Sequence, residues 1–197
     1  MSGIKKILQD LSEDDLRKKI IIPYLDNSCI QVEDWCGPSE KGKDIVYVRK
    51  DMLSQDVTGA VIIKKENIRK SGTKNTNIKE IKIQVEEAYS SEIPFPLDSD
   101  KKTSIQEIYV LTPYNISREA REYINEDISK KMQVRFISGD QLVLKIKELI
   151  CNIEYIFDPN NFKEFCYKNK KVFREEQEFP QMKNQIGDIK EDGKHER

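Results

Sequence analysis

Histidine is almost missing from this chain. The single imidazole, His195, lies in a charged C-terminal stretch. Serine–histidine and cysteine–histidine catalysis, zinc hydrolysis and histidine-based nucleolysis all need a positioned imidazole, so none suits the folded part. Chemistry here must run on carboxylates, lysine, tyrosine or a cofactor. Cysteine is also sparse: Cys29, Cys36, Cys151 and Cys166 contain no CxxC pair, and no signal-peptide pattern opens the chain. Both absences lead to the expectation of a cytoplasmic protein with reduced thiols. No apolar run approaches the roughly 20 residues of a membrane span. No glycine-rich phosphate loop is present, which argues against a nucleotide-sensing domain. An excess of either charge is lacking as well. The 34 basic and 35 acidic side chains leave a net charge of -1, so any nucleic-acid surface must be a local patch on a dipolar molecule.

What is present amounts to one well-cored domain with extensions. Of 197 residues, 37% are hydrophobic and 35% charged, with a mean hydropathy of -0.69. The apolar residues fall in periodic runs, which favours a folded centre with polar ends. Residues 1–11 read as a short amphipathic lead carrying Ile4, Ile7, Leu8 and Leu11. Ser12 followed by Glu13, Asp14 and Asp15 is an N-cap with acids in the first turn. The helix it opens should end near Pro23.

Strand patterns cover residues 29–35, 44–49 and 59–65, with a polar connection at 51–56. A helix follows from about Asn77, with Ile78, Ile81, Val85, Ala88 and Tyr89 on one face, and Pro94 and Pro96 stop it. Residues 98–104 read as a charged loop and 105–111 as a strand. Ser117 caps the next helix. A short strand at 134–137 and a closing helix at 142–150 complete the domain. This order predicts an α/β fold, a mixed sheet flanked by helices on both faces. The aromatics Tyr155, Phe157, Phe162, Phe165 and Tyr167 suit an extension over 151–173 packed on the domain. Residues 174–197 form a charged tail.

The chemically informative stretch is Glu40 to Lys64. In an antiparallel hairpin the start of the first strand lies beside the end of the second, so Asp44 should meet Lys64. Around that pair the chain carries Glu-Lys-Gly-Lys-Asp-Ile-Val, a hairpin, then Val-Ile-Ile-Lys with Ile68 and Ser71-Gly72 after it. Further along come Ile78 to Tyr89, Ile108-Tyr109-Val110-Leu111-Thr112, and Phe136-Ile137-Ser138-Gly139-Asp140. Together these segments resemble the restriction-endonuclease-like superfamily, in its Mrr-like branch, over roughly residues 12–150.

The resemblance implies an αβββαβ core plus a further αβα unit, and Mg²⁺-dependent (or Mn²⁺-dependent) DNA cleavage or DNA binding in defence against foreign DNA. Asp44 is then a metal ligand, Ile63 offers its backbone carbonyl, and Lys64 is the catalytic lysine. Glu40 resembles the acid found just before the aspartate, serving catalysis and metal. A hard divalent cation wants such oxygen ligands, and phosphodiester cleavage wants a metal-activated water. Lys65, Arg69, Lys70 and Lys74 form a basic segment for phosphate contact. Cutting a duplex implies two copies of the site, hence a homodimer or a larger complex.

One position departs from the pattern. Ile62 stands where the family carries Glu, Asp or Gln, and an aliphatic side chain cannot ligate Mg²⁺. Three alternatives follow: a substitute acid (Glu40, Glu80 or Glu86, while Glu13, Asp14 or Asp15 could place a helix carboxylate nearby), weak metal binding through Asp44, carbonyls and water, or a catalytically inactive subunit used for binding or protein assembly.

Overall fold

The computed structural model describes residues 3–37, 42–70, 76–126 and 133–151. Glu40, Lys74, the aromatic extension beyond residue 151 and the charged tail lie outside the described residues.

Two short helical stretches open the chain. Helix α1 (Gly3–Asp10) buries Ile4 and Leu8 completely. The expected lead therefore packs into the same core as the domain. Ser12 caps α2 (Glu13–Leu16), its hydroxyl accepting from the Asp15 N–H. The helix then widens into a π turn (Arg17–Ile21) and continues as α3 (Ile22–Asp26), ending shortly past Pro23. Pro23 explains the widening. It cannot donate to Lys19, and its ring would crowd that carbonyl in a regular helix.

Strands β1 (Gln31–Asp34), β2 (Ile45–Lys50) and β3 (Asp56–Ile63) form an antiparallel meander. Helix α4 (Thr76–Ser90) follows. Next comes a departure from the sequence expectation: β4 (Glu92–Phe95) and β5 (Asp98–Ser104) pair as a separate hairpin where a charged loop was anticipated. Strand β6 (Glu107–Leu111) then joins the main sheet parallel to β3, α5 (Arg118–Asn125) crosses over, and β7 (Gln133–Ile137) pairs parallel to β6. Helix α6 (Gly139–Cys151) ends the described chain. The result is a five-stranded mixed sheet of order β1-β2-β3-β6-β7 flanked by helices.

Each face of the sheet carries its own core, because successive strand residues point to opposite sides. Ile45, Tyr47, Val61 and Ile63 pack with α1, the π turn and α6. Val46, Ala60 and Ile62 pack with α4 and α5 through Ile78, Ile81, Val85 and Ala120. No described helix is long and apolar enough to cross a membrane.

Candidate functional site

The hairpin is antiparallel as expected, and it carries Asp44 to the Ile62–Ile63 end of β3. The register Ile45↔Val61 sets Asp44 beside Ile62, two residues before Lys64. The two strands separate there, and the Asp44 carboxylate spans the gap. Its Oδ2 accepts the Ile63 backbone N–H at 2.6 Å, taking the place of a strand carbonyl. The Asp44 backbone is fixed on both sides, donating to Val61 O at 3.0 Å and accepting from Trp35 N at 2.9 Å.

Lys64 holds its place through its backbone N–H, which donates to Leu111 O. Strand alternation sends its side chain to the α4 face, along with Ile62. There Nζ lies 3.2 Å from Glu80 Oε1, an ion pair with the lysine largely covered and the glutamate open to solvent. Glu80 is thus the one substitute acid that the described structure seats on the candidate lysine. Glu86 is exposed further along α4. Asp14 is spent on Arg17 and Lys18, and Asp15 on Lys19.

Ile62 is buried among the aliphatic residues of the α4 core. No three His, Cys, Asp or Glu side chains converge among the described residues. The oxygen donors gather on the helix instead. Gln84 lies four residues after Glu80, on the same face of α4. Its Oε1 is buried and has no hydrogen-bond partner among the described residues. Gly42, at φ +77°, runs so close to the Gln84 backbone that a Cβ there would overlap it. The glycine therefore lets the loop entering Asp44 press onto α4. Mg²⁺ is commonly held by one or two carboxylates together with water and substrate phosphate. Were such an ion held here, Asp44 and Glu80 would be its carboxylates, with the Gln84 and Ile63 carbonyl oxygens as the further donors.

No family model matches the chain, and neither the curated proteins nor the solved structures include a significant match to it.

The basic segment divides. Lys65 Nζ donates to Leu8 O at 3.0 Å and Gln9 O at 2.7 Å, and sits 5.7 Å from the Tyr114 ring centroid. Arg69 and Lys70 are exposed, and Lys70 lies over Tyr123 at 5.4 Å. Lys82 of α4 approaches the same ring at 5.0 Å, and Arg121 of α5 lies over Phe136 at 5.7 Å. Sequence reasoning missed Lys82 and Arg121, because nothing local announces that α4 and α5 adjoin.

It also missed two buried polar groups. Lys43 is fully buried, donating to Ser91 Oγ at 2.8 Å near the Trp35 ring. Glu107, at the opposite end of the sheet from Asp44, accepts from Tyr47 Oη at 2.8 Å and from Arg49 Nε and Nη2 at 2.7 and 3.0 Å. Among the cysteines, Cys29 and Cys36 are free thiols. Burial pushes the Cys29 thiol up to about 11, which disqualifies it as a nucleophile at neutral pH.

Proposed function

We propose that this chain is a restriction-endonuclease-like, Mg²⁺-dependent nuclease acting on DNA, in which helix α4 supplies the oxygen donors that strand β3 lacks at Ile62. The observation that carries the reading is the Lys64–Glu80 contact at 3.2 Å beside the Asp44 turn. A migrated acid keeps the chemistry's requirements intact: a carboxylate for a hard cation, and a lysine to orient water and neutralise developing charge. The buried, unpartnered Gln84 oxygen supports the same end of α4 as the donor face. Lys82 of α4, Arg121 of α5 and Lys70 of the segment before α4 give a group of cations around Tyr123 and Phe136 for the duplex backbone. The resemblance stated above extends the proposal to defence against foreign DNA.

The test is plasmid cleavage in Mg²⁺ or Mn²⁺ by the full chain and by Asp44→Asn, Lys64→Ala and Glu80→Gln. Each variant should lose cleavage by about 100-fold or more while keeping its thermal unfolding temperature. Activity indifferent to Glu80→Gln but abolished by Asp44→Asn would reject the migrated acid. Activity indifferent to all three would reject the site.

The burial of Ile62 favours a second reading, a catalytically inactive nuclease-fold subunit serving protein assembly. That reading requires no cleavage in either metal and no salt-sensitive DNA affinity.

A further inference from the structure

The face of the sheet opposite Ile62 and Glu80 contains a cavity of about 140 Å³ that the nuclease reading leaves unused. Its helical wall comes from Ile21 and Leu25, and its floor from Val61, Leu111 and Ile137 on three adjacent strands. Protein interiors are close-packed, and a mainly apolar pocket of this size has room for a benzene-sized guest.

The charged groups that line it are of one sign, beside the neutral hydroxyls of Ser28 and three tyrosines. Arg49 and Lys145 line it, and no acidic side chain does. Arg49 is neutralised from behind by the bidentate Glu107. Lys145 has no acidic partner among the described residues. Among the described residues its ammonium meets only the Tyr24 hydroxyl at 3.4 Å and the Tyr24 ring at 5.8 Å. A mainly apolar chamber with an ammonium at its edge that meets no carboxylate among the described residues is complementary to a compact apolar body bearing a single negative charge.

We propose that the cavity between α3, α6 and the sheet binds a small amphipathic monoanion, a carboxylate on a compact ring or branched chain, with its head group on Lys145. The site lies on the other sheet face from Asp44, Lys64 and Glu80, so it stands or falls independently of nuclease activity.

The experiment titrates the full-length, methyl-labelled protein with benzoate and with its neutral isostere benzamide. Benzoate should produce saturable shifts at the Val61, Leu111 and Ile137 methyls, with a dissociation constant of about 1 mM or tighter. Benzamide should bind more weakly. Lys145→Gln should weaken benzoate by about three- to tenfold and leave benzamide unchanged. Leu142→Trp, which fills the chamber, should abolish both in a variant whose methyl dispersion shows that it folds. Absence of saturable shifts at those methyls overturns the site. Equal binding of benzoate and benzamide overturns the assignment of an anion, and binding that survives a folded Leu142→Trp overturns the location.

Discussion

Tyr47 lies across the backbone of its cross-strand partner Gly59, and a Cβ at Gly59 would overlap its ring. The ring cannot step aside, because its hydroxyl is tied to Glu107 and the side chain is almost fully buried. Gly59→Ala should therefore destabilise the fold by about 2 kcal/mol or more, read as a lower urea midpoint. A change below about 0.5 kcal/mol would mean that the strands can part at no cost. Glu107 itself makes stability depend on pH. Burial opposes its ionisation, but the Arg49 guanidinium, the Tyr47 hydroxyl and the Arg135 charge outweigh that and hold its carboxyl below the ordinary 4.5. Its contribution is thus complete above about pH 4.5 and drains away as acid carries the pH through the lower folded value. Glu107→Gln should cost about 1–3 kcal/mol at neutral pH and flatten the stability profile below pH 4.5. Parallel acid profiles for the two proteins would show that another carboxyl governs the transition.

At the scale of elements, caps were the most legible feature. Ser12 and Ser117 each accept from the N–H three residues on, a purely local device that needs no tertiary information. The β4–β5 hairpin was illegible for the opposite reason. Pro94 removes a ladder donor, Asp-Ser-Asp-Lys-Lys lacks apolar alternation, and the pairing is carried by backbone and by the buried Ile93. Lys65 shows how a charge can mislead. It belongs to a basic run in sequence, yet its ammonium satisfies the orphan carbonyls at the C-terminal end of α1, and burial lowers its pKa. Lys65→Met should destabilise by about 1 kcal/mol while leaving duplex affinity at low salt unchanged in fluorescence anisotropy. A fall in affinity with a shallower salt slope would place this lysine on phosphate after all.

Across the whole molecule, the legible parts were those joined by short connections. The β2–β3 hairpin follows from adjacent strand patterns, and with it the placing of Asp44 against the end of β3 at Ile63. The alternation of strand and helix further along implied the parallel additions. What stayed hidden depends on residues far apart in the chain. Lys5 of α1 bonds Asn115 and Asp140, 110 and 135 residues away, and no local pattern signals that the first helix belongs to the core. Glu107 reaches Tyr47 and Arg49 across 60 and 58 residues, so it reads in sequence as one charge among many. Glu80 was legible only as one of several candidate acids; its ion pair with Lys64 depends on the packing of α4 against the end of β3.

The mixed sheet also orders events in time. Residues 51–55 close the β2–β3 hairpin, whereas β6 reaches β3 only after residues 64–106 have been threaded through α4 and the second hairpin. Loop-closure entropy and contact order make the hairpin an early event and the parallel pairing a late one. Arg49 therefore waits without its counter-ion until β6 arrives. In a folding experiment, conservative hairpin substitutions should slow refolding, while Glu107→Gln should chiefly speed unfolding. A high φ-value at Glu107 would reverse that order.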